Sequence, residues 1–221
     1  MTQLTLFDGP SSAMPPGWRY EDGFLTAQEE VALLALVRGL PLQAARYESY
    51  TARRRVVSYG GSFDYDANRL QPAQPLVESL HGLRARVADW MGVAPERLAH
   101  VLVAEYPPGA PLGWHRDVPD FEDVAGVSLG SPAVLRFRPY PPQRPSRRDI
   151  LRADVLPRSI YLMRGAARWD WQHSVAPLAA PRWSITFRTL AGRRPSSRAG
   201  RAARGDAPQA AAPADLSEPP A

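Results

Sequence analysis

The stretch Gly113-Trp114-His115-Arg116-Asp117 places a histidine and an aspartate one residue apart. Successive side chains of an extended strand leave opposite faces, so residues i and i+2 share one. His115 and Asp117 would then present an imidazole and a carboxylate together, as two ligands of one metal do. Such pairs also occur by chance in surface loops, so the reading depends on what the rest of the chain supplies.

Downstream, the candidate third ligand is His173, in Arg168-Trp169-Asp170-Trp171-Gln172-His173-Ser174-Val175. It follows the apolar run Ile160-Tyr161-Leu162-Met163 and a turn at Gly165. Taken alone, it is a hydrogen-bonded histidine beside tryptophans. Around it, short strand-like segments alternate with Pro/Gly turns at 101–106, 112–118, 133–138, 150–156, 159–163 and 182–190. That spacing predicts an antiparallel sandwich or barrel. A jelly roll brings strands distant in sequence around one mouth. His115, Asp117 and His173 can then converge as the two-histidine, one-carboxylate triad of non-haem Fe(II) oxygenases.

The last segment, Arg182-Trp183-Ser184-Ile185-Thr186-Phe187-Arg188, alternates strictly. One face carries Arg182, Ser184, Thr186 and Arg188; the other carries Trp183, Ile185 and Phe187. The two arginines stand about 20 Å apart along a strand, and leaning inward they could grip both ends of a small diacid. The diacid such an iron site needs is 2-oxoglutarate.

With these parts in order, the chain resembles the AlkB-type branch of the Fe(II)/2-oxoglutarate-dependent dioxygenases. Tyr106-Pro107-Pro108-Gly109, Ser128-Leu129-Gly130 and Phe137 add to the likeness, which covers 101–190 and, more loosely, back to Gly17. The resemblance implies a mainly β fold with flanking α structure: a double-stranded β-helix (jelly roll) with N-terminal helices packed against it. It implies Fe(II) on His115, Asp117 and His173, with O2 as oxidant. It places the distal 2-oxoglutarate carboxylate on Arg182, Arg188 by the carboxylate next to iron, and Tyr106 and Ser184 alongside. The expected activity is oxidative demethylation of N-alkylated bases in DNA or RNA, with release of succinate, carbon dioxide and formaldehyde. Ala104, Ser184 and Pro119 depart from the family pattern, which leaves the methylated substrate open. Two other readings stand beside this one: the same oxidation on a protein or small molecule, and a non-catalytic jelly-roll binding module.

Upstream, Thr26-Ala27-Gln28-Glu29 is a capping box opening a helix to about Arg38. Leu76, Leu80, Leu83, Val87 and Met91 form one apolar stripe, predicting a helix over 76–91. His81 and His100 lack partners at ligand spacing and read as surface or core histidines. Between the helices, 47–65 reads as a basic hairpin or as a lid over substrate. In the lid, Arg53, Arg54 and Arg55 would hold phosphates and Tyr59 and Tyr65 would stack on a base; Trp114 is a further candidate for contact with substrate.

The chain has 221 residues and a net charge of +5, and lacks cysteine. That length suits one domain, 17–190, with tails. The absence of cysteine excludes disulfides and thiol catalysis. All 27 basic residues are arginine, so every cation has a planar fork for phosphate or carboxylate. Residues 191–221 turn to Arg, Pro and Ala and are expected to be disordered. Residues 1–16 are expected to be a flexible tail. There, Gln3-Leu4-Thr5-Leu6-Phe7 resembles a sliding-clamp-binding peptide, with Gln3, Leu4, Leu6 and Phe7 as contacts. With no signal peptide or membrane span, the expectation is a cytoplasmic, monomeric protein.

Overall fold

The computed structural model describes residues 14–47, 50–64, 69–142 and 149–192. The peptide at Gln3–Phe7, Tyr65 and the C-terminal tail lie outside them. In chain order the elements are β1 (Trp18–Glu21), α1 (Ala27–Arg38), β2 (Gln43–Tyr47), β3 (Tyr50–Tyr59), β4 (Gly61–Asp64), β5 (Arg69–Pro72) and α2 (His81–Met91). There follow β6 (Leu98–Tyr106), β7 (Leu112–His115), β8 (Phe121–Gly130), β9 (Ala133–Pro139) and β10 (Leu151–Val155). The last are β11 (Ile160–Met163), α3 (Ala166–Trp169), β12 (Trp171–Val175) and β13 (Arg182–Leu190).

Seven strands form the major sheet, in the order β1-β11-β8-β13-β6-β3-β2, and four form the minor sheet, β10-β9-β12-β7. Every pairing is antiparallel. The two sheets face each other as a double-stranded β-helix, and the helices cover the far face of the major sheet. This is the mainly β fold with flanking helices that the sequence leads one to expect.

The alternation within β13 builds both cores. Trp183, Ile185 and Phe187 join Leu83, Val87 and Met91 of α2 in the core between helices and major sheet. Ala104, Leu135, Phe137 and Tyr161 line a second core between the sheets. Arg182, Ser184, Thr186 and Arg188 have the parity that faces this interior, and all four are buried.

The helices are built as their caps dictate. Thr26 Oγ accepts from the Glu29 amide at 3.2 Å and the Glu29 carboxylate accepts from the Thr26 amide at 2.7 Å, which closes the capping box. The second helix begins later than its stripe. Glu78–Leu80 form a 3-10 turn, α2 proper starts at His81, and Leu76 precedes both. Val77 is extended, at ψ 140°, so helical backbone is established only after it. The stripe itself holds, with Leu80, Leu83, Val87 and Met91 buried. Gly92 ends α2 in the left-handed region at φ 72°.

Candidate metal centre and cosubstrate pocket

β7 ends at His115, so Asp117 lies beyond the strand that the 112–118 segment suggested. Pro119 lacks an amide proton for a ladder, and Arg168 takes over the anchoring. This side chain, only 3% exposed, donates from Nη2 to the carbonyls of Asp117 (3.0 Å), Val118 (2.7 Å) and Phe121 (2.8 Å). His173 sits in β12 directly opposite His115 of β7. The topology thus brings the three candidate ligands together, with their ligand atoms within 4.8 Å of one another.

Each ligand is prepared chemically. His115 Nδ1 lies 2.9 Å from the Gly113 carbonyl. A carbonyl only accepts, so Nδ1 carries the proton and Nε2 keeps its lone pair for a metal. Burial depresses the His115 imidazole against the pull of Asp117 and Gly113. Burial, and then His115, depress His173 well below the ordinary histidine range. Both rings are therefore neutral near pH 7, as metal ligation requires. Burial alone would raise Asp117, but the guanidinium groups of Arg188 and then Arg168 outweigh it and keep the carboxylate ionised.

Asp117 is divided between two tasks. Its Oδ1 accepts from both Nε and Nη2 of Arg188 at 2.8 Å. Its Oδ2 is buried without a hydrogen-bond partner and faces His173 Nε2 at 3.8 Å. A buried carboxylate oxygen without a donor is costly, and this one lies in a cluster with the two imidazoles. A divalent cation satisfies all three donors at once, and the nitrogen and oxygen donor set suits Fe(II).

The cosubstrate side shows the complementary deficit. Arg182 is 1% exposed, its Nε donates to Ser128 Oγ at 3.1 Å, and its Nη2 has no partner. Among the described residues no carboxylate pairs with it. A buried guanidinium in that state fits an incoming carboxylate. Tyr106 lies beneath it, with the guanidinium carbon 5.2 Å from the ring. Burial would raise the Tyr106 phenol, but Arg54, Arg182 and bonds from Arg54 and Ser184 reverse the direction and lower it. Tyr161 belongs to the same inter-sheet core, where Gly126 admits it. A Cβ at position 126 would stand 2.3 Å from the Tyr161 ring.

Arg188 has contacts within the chain that the sequence did not suggest. Its Nε and Nη2 are committed to Asp117, and its Nη1 lies 3.2 Å from His100 Nδ1. In this arrangement it orients the Asp117 carboxylate. His100, expected to be an ordinary surface or core histidine, packs tilted against Phe121 at 4.7 Å and contacts Arg188 from the side away from Asp117.

The residues assigned to a lid divide by strand parity, because 50–59 is one long strand of the major sheet. Arg54 faces the site and donates to the Tyr106 hydroxyl at 3.3 Å. Tyr59 lies on the helix side, 1% exposed in the core, where it cannot stack on a base. Arg55 pairs with Glu105, directly opposite it on β6. Arg53 is exposed and donates to the Pro108 carbonyl at 3.2 Å. Trp114 points away from His115, onto the outer face of the minor sheet beneath Arg136 and Arg138.

Arg168, Ser128, His100, Tyr161 and Gly126 were missed. Each works through a contact across the fold, and only Ser128 had a signal, as part of the Ser-Leu-Gly motif.

The double-stranded β-helix with this triad defines a non-haem Fe(II) oxygenase. The model of the 2OG-Fe(II) oxygenase superfamily matches residues 23–196. The chain belongs to that superfamily, in its AlkB-type branch, and is a dioxygenase that uses Fe(II), 2-oxoglutarate and O2. It is 31% identical over 182 residues to the Alkylated DNA repair protein ALKBH8 homolog of Arabidopsis thaliana, which covers 72% of this chain and 51% of that one. It is 30% identical over 150 residues to the Alpha-ketoglutarate-dependent dioxygenase AlkB of Escherichia coli K12, covering 63% and 66%. The chain therefore spans about half the length of the Arabidopsis relative. Among solved structures, OsALKBH1 superposes with a TM-score of 0.61 at 15% identity, over 80% of this chain and 98% of that one. No helix among the described residues is long and apolar enough to cross a membrane.

Proposed function

We propose that the chain oxidatively demethylates N-alkylated bases in DNA or RNA. The bound metal, cosubstrate and oxygen supply the oxidant that hydroxylates the N-methyl carbon, with succinate, carbon dioxide and formaldehyde as products. The protein's own residues position and exclude. Arg188 and Arg168 fix Asp117 through its carboxylate and its carbonyl, and Gly113 fixes the His115 tautomer. Arg182, aligned by Ser128, receives the distal carboxylate of 2-oxoglutarate, with Tyr106 and Ser184 beside it.

For the chemistry, the carrying observation is the paired deficit, an unpartnered Asp117 oxygen and an unpartnered Arg182 nitrogen in one interior. For the substrate, support comes from the relative named for alkylated DNA repair and from Arg54 beside Tyr106 at the edge of the site. An N-alkylated base unpairs readily and can be flipped into such a pocket.

The test is formaldehyde and succinate release from N-methylated single-stranded DNA, RNA and peptides, with His115→Ala as control. The expected result is release from an oligonucleotide that requires iron and 2-oxoglutarate and is lost in the control. Release from methylated peptides alone overturns the substrate reading. We assign 17–190 as the catalytic domain of a cytoplasmic monomer, with residues 1–16 and 191–221 as tails. The peptide Gln3–Phe7 is assigned to a sliding clamp. Clamp pull-down that survives Leu6→Ala with Phe7→Ala would remove that assignment.

A further inference from the structure

The metal site uses the inner face of the minor sheet. Its outer face has a composition that neither the metal nor the cosubstrate explains. β9 turns Leu135 and Phe137 inward and Arg136 and Arg138 outward. Arg152 of β10 stands directly opposite Arg136. Like charges facing across a strand pair destabilise a sheet, and burial together with Arg152 works against the Arg136 cation. Among the described residues neither arginine has a carboxylate partner. Asp154 shares the face but forms no ion pair with either.

The face is also organised. Arg136 Nε donates to Ser174 Oγ at 3.0 Å and Arg138 Nε to Gln172 Oε1 at 2.7 Å. Both guanidinium groups lie over the Trp114 ring, at 5.3 Å and 4.6 Å from its centroid. Tryptophan, serine and glutamine therefore fix two forks before any ligand arrives, which lowers the entropic cost of binding. Arg136 and Arg138 are about 6.8 Å apart along the strand, close to two nucleotide steps of a stacked strand at about 3.4 Å each.

We propose that this outer face is an anion ladder that holds the phosphodiester backbone of a nucleic-acid strand. The occupant follows from the substrate class proposed above. The site itself rests on the unneutralised Arg136–Arg152 pair and its fixed neighbour Arg138. Trp114 serves here as the platform for the guanidinium groups. These contacts position the strand and carry no sequence information.

The test uses the full chain and a fluorescein-labelled, unmethylated oligo(dT) without iron or 2-oxoglutarate, so that binding is read separately from turnover. Anisotropy titrations between about 50 and 200 mM salt give the slope of log affinity against log salt. For Arg136→Gln with Arg152→Gln that slope is expected to become shallower by roughly 1.4, from about 0.7 per lost single-strand contact. Wild-type affinity then falls roughly sevenfold more than the variant's across that salt range. A second variant guards against misfolding. Arg152→Glu places a carboxylate opposite Arg136, so thermal stability should rise while oligonucleotide affinity falls. An unchanged salt slope, or equal displacement of the strand by polyglutamate, overturns the proposal. Intact salt-dependent binding without demethylation of any oligonucleotide overturns only the substrate reading.

Discussion

Arg182→Met should separate the cost of the cosubstrate pocket from its use. In the ligand-free protein Arg182 is buried with Nη2 unpartnered, and its Nε bond to Ser128 is its only hydrogen bond to a side chain among the described residues. Replacing such a cation by an apolar side chain of similar length is neutral or stabilising, by up to about 4 kcal/mol. The ligand-free variant should therefore melt at or above the wild-type temperature. With the cosubstrate the sign reverses. Breaking a buried guanidinium–carboxylate pair costs roughly 3–5 kcal/mol, which at about 1.36 kcal/mol per decade weakens binding by two to nearly four orders of magnitude.

The assay is thermal unfolding with Mn(II) in place of iron, with and without 2-oxoglutarate. At about 100 times the wild-type Kd, ligand stabilises the wild type by about 2.7 kcal/mol. For a domain of this size that is a rise of roughly 5–10 °C. At the same concentration the variant should gain about 0.3 kcal/mol or less, a rise of roughly 1 °C. A variant that keeps the full rise would show that Arg182 does not receive the distal carboxylate. A ligand-free variant that melts well below wild type would refute the reasoning about an unpaired buried cation.

Three further perturbations follow from the same geometry. Burial lowers the His100 pKa to about 3 from 6.5, so between those values the unfolded chain binds the extra proton and stability falls as pH falls. The loss approaches roughly 5 kcal/mol at the acid end, and urea midpoints for wild type and His100→Phe should converge in that window. Gly126→Ala forces a methyl to within 2.3 Å of the Tyr161 ring. It should cost about 1–3 kcal/mol by urea unfolding, with much of that recovered by adding Tyr161→Leu. Arg168→Met removes the donor that serves three carbonyls around Asp117. It should cost roughly 3 kcal/mol or more and weaken Mn(II) binding in a titration of the folded protein.

Much of this was legible because β13 writes its two faces in alternating chemistry, and because the chain has only 4 histidines, two of which stand with Asp117 in a recognisable order. The strands that escaped did so for physical reasons. β8 lies between β11 and β13, with nearly every residue from Val124 to Leu129 buried. A strand covered on both faces loses the alternation by which strands are read. β3 was hidden within 47–65 because Arg53-Arg54-Arg55 breaks the apolar alternation that marks a strand. In the fold that run continues the strand, and its parity sends Arg54 to the site and its neighbours to the other face. The support around Asp117 was invisible because Arg168 and His100 each act on residues far away in sequence.

The same parity explains why two arginines on one face of β13 do different work. Arg182 and Arg188 are equivalent in the alternation, and only their neighbours distinguish them. Arg182 stands opposite Tyr106 of β6 and Gly130 of β8, at the end of the strand where Ser128 takes one nitrogen. Arg188 stands opposite His100 and Val124 near the other end, with Asp117 within reach of two nitrogens. One guanidinium thus neutralises a carboxylate the chain already owns, and the other is left buried with one nitrogen unpartnered. An interior that commits one cation to Asp117 and leaves a nitrogen of the second unpartnered is expected to bind metal and diacid as separate events. Mn(II) titrated with and without 2-oxoglutarate should then give similar affinities, and metal binding that appears only with 2-oxoglutarate would refute this.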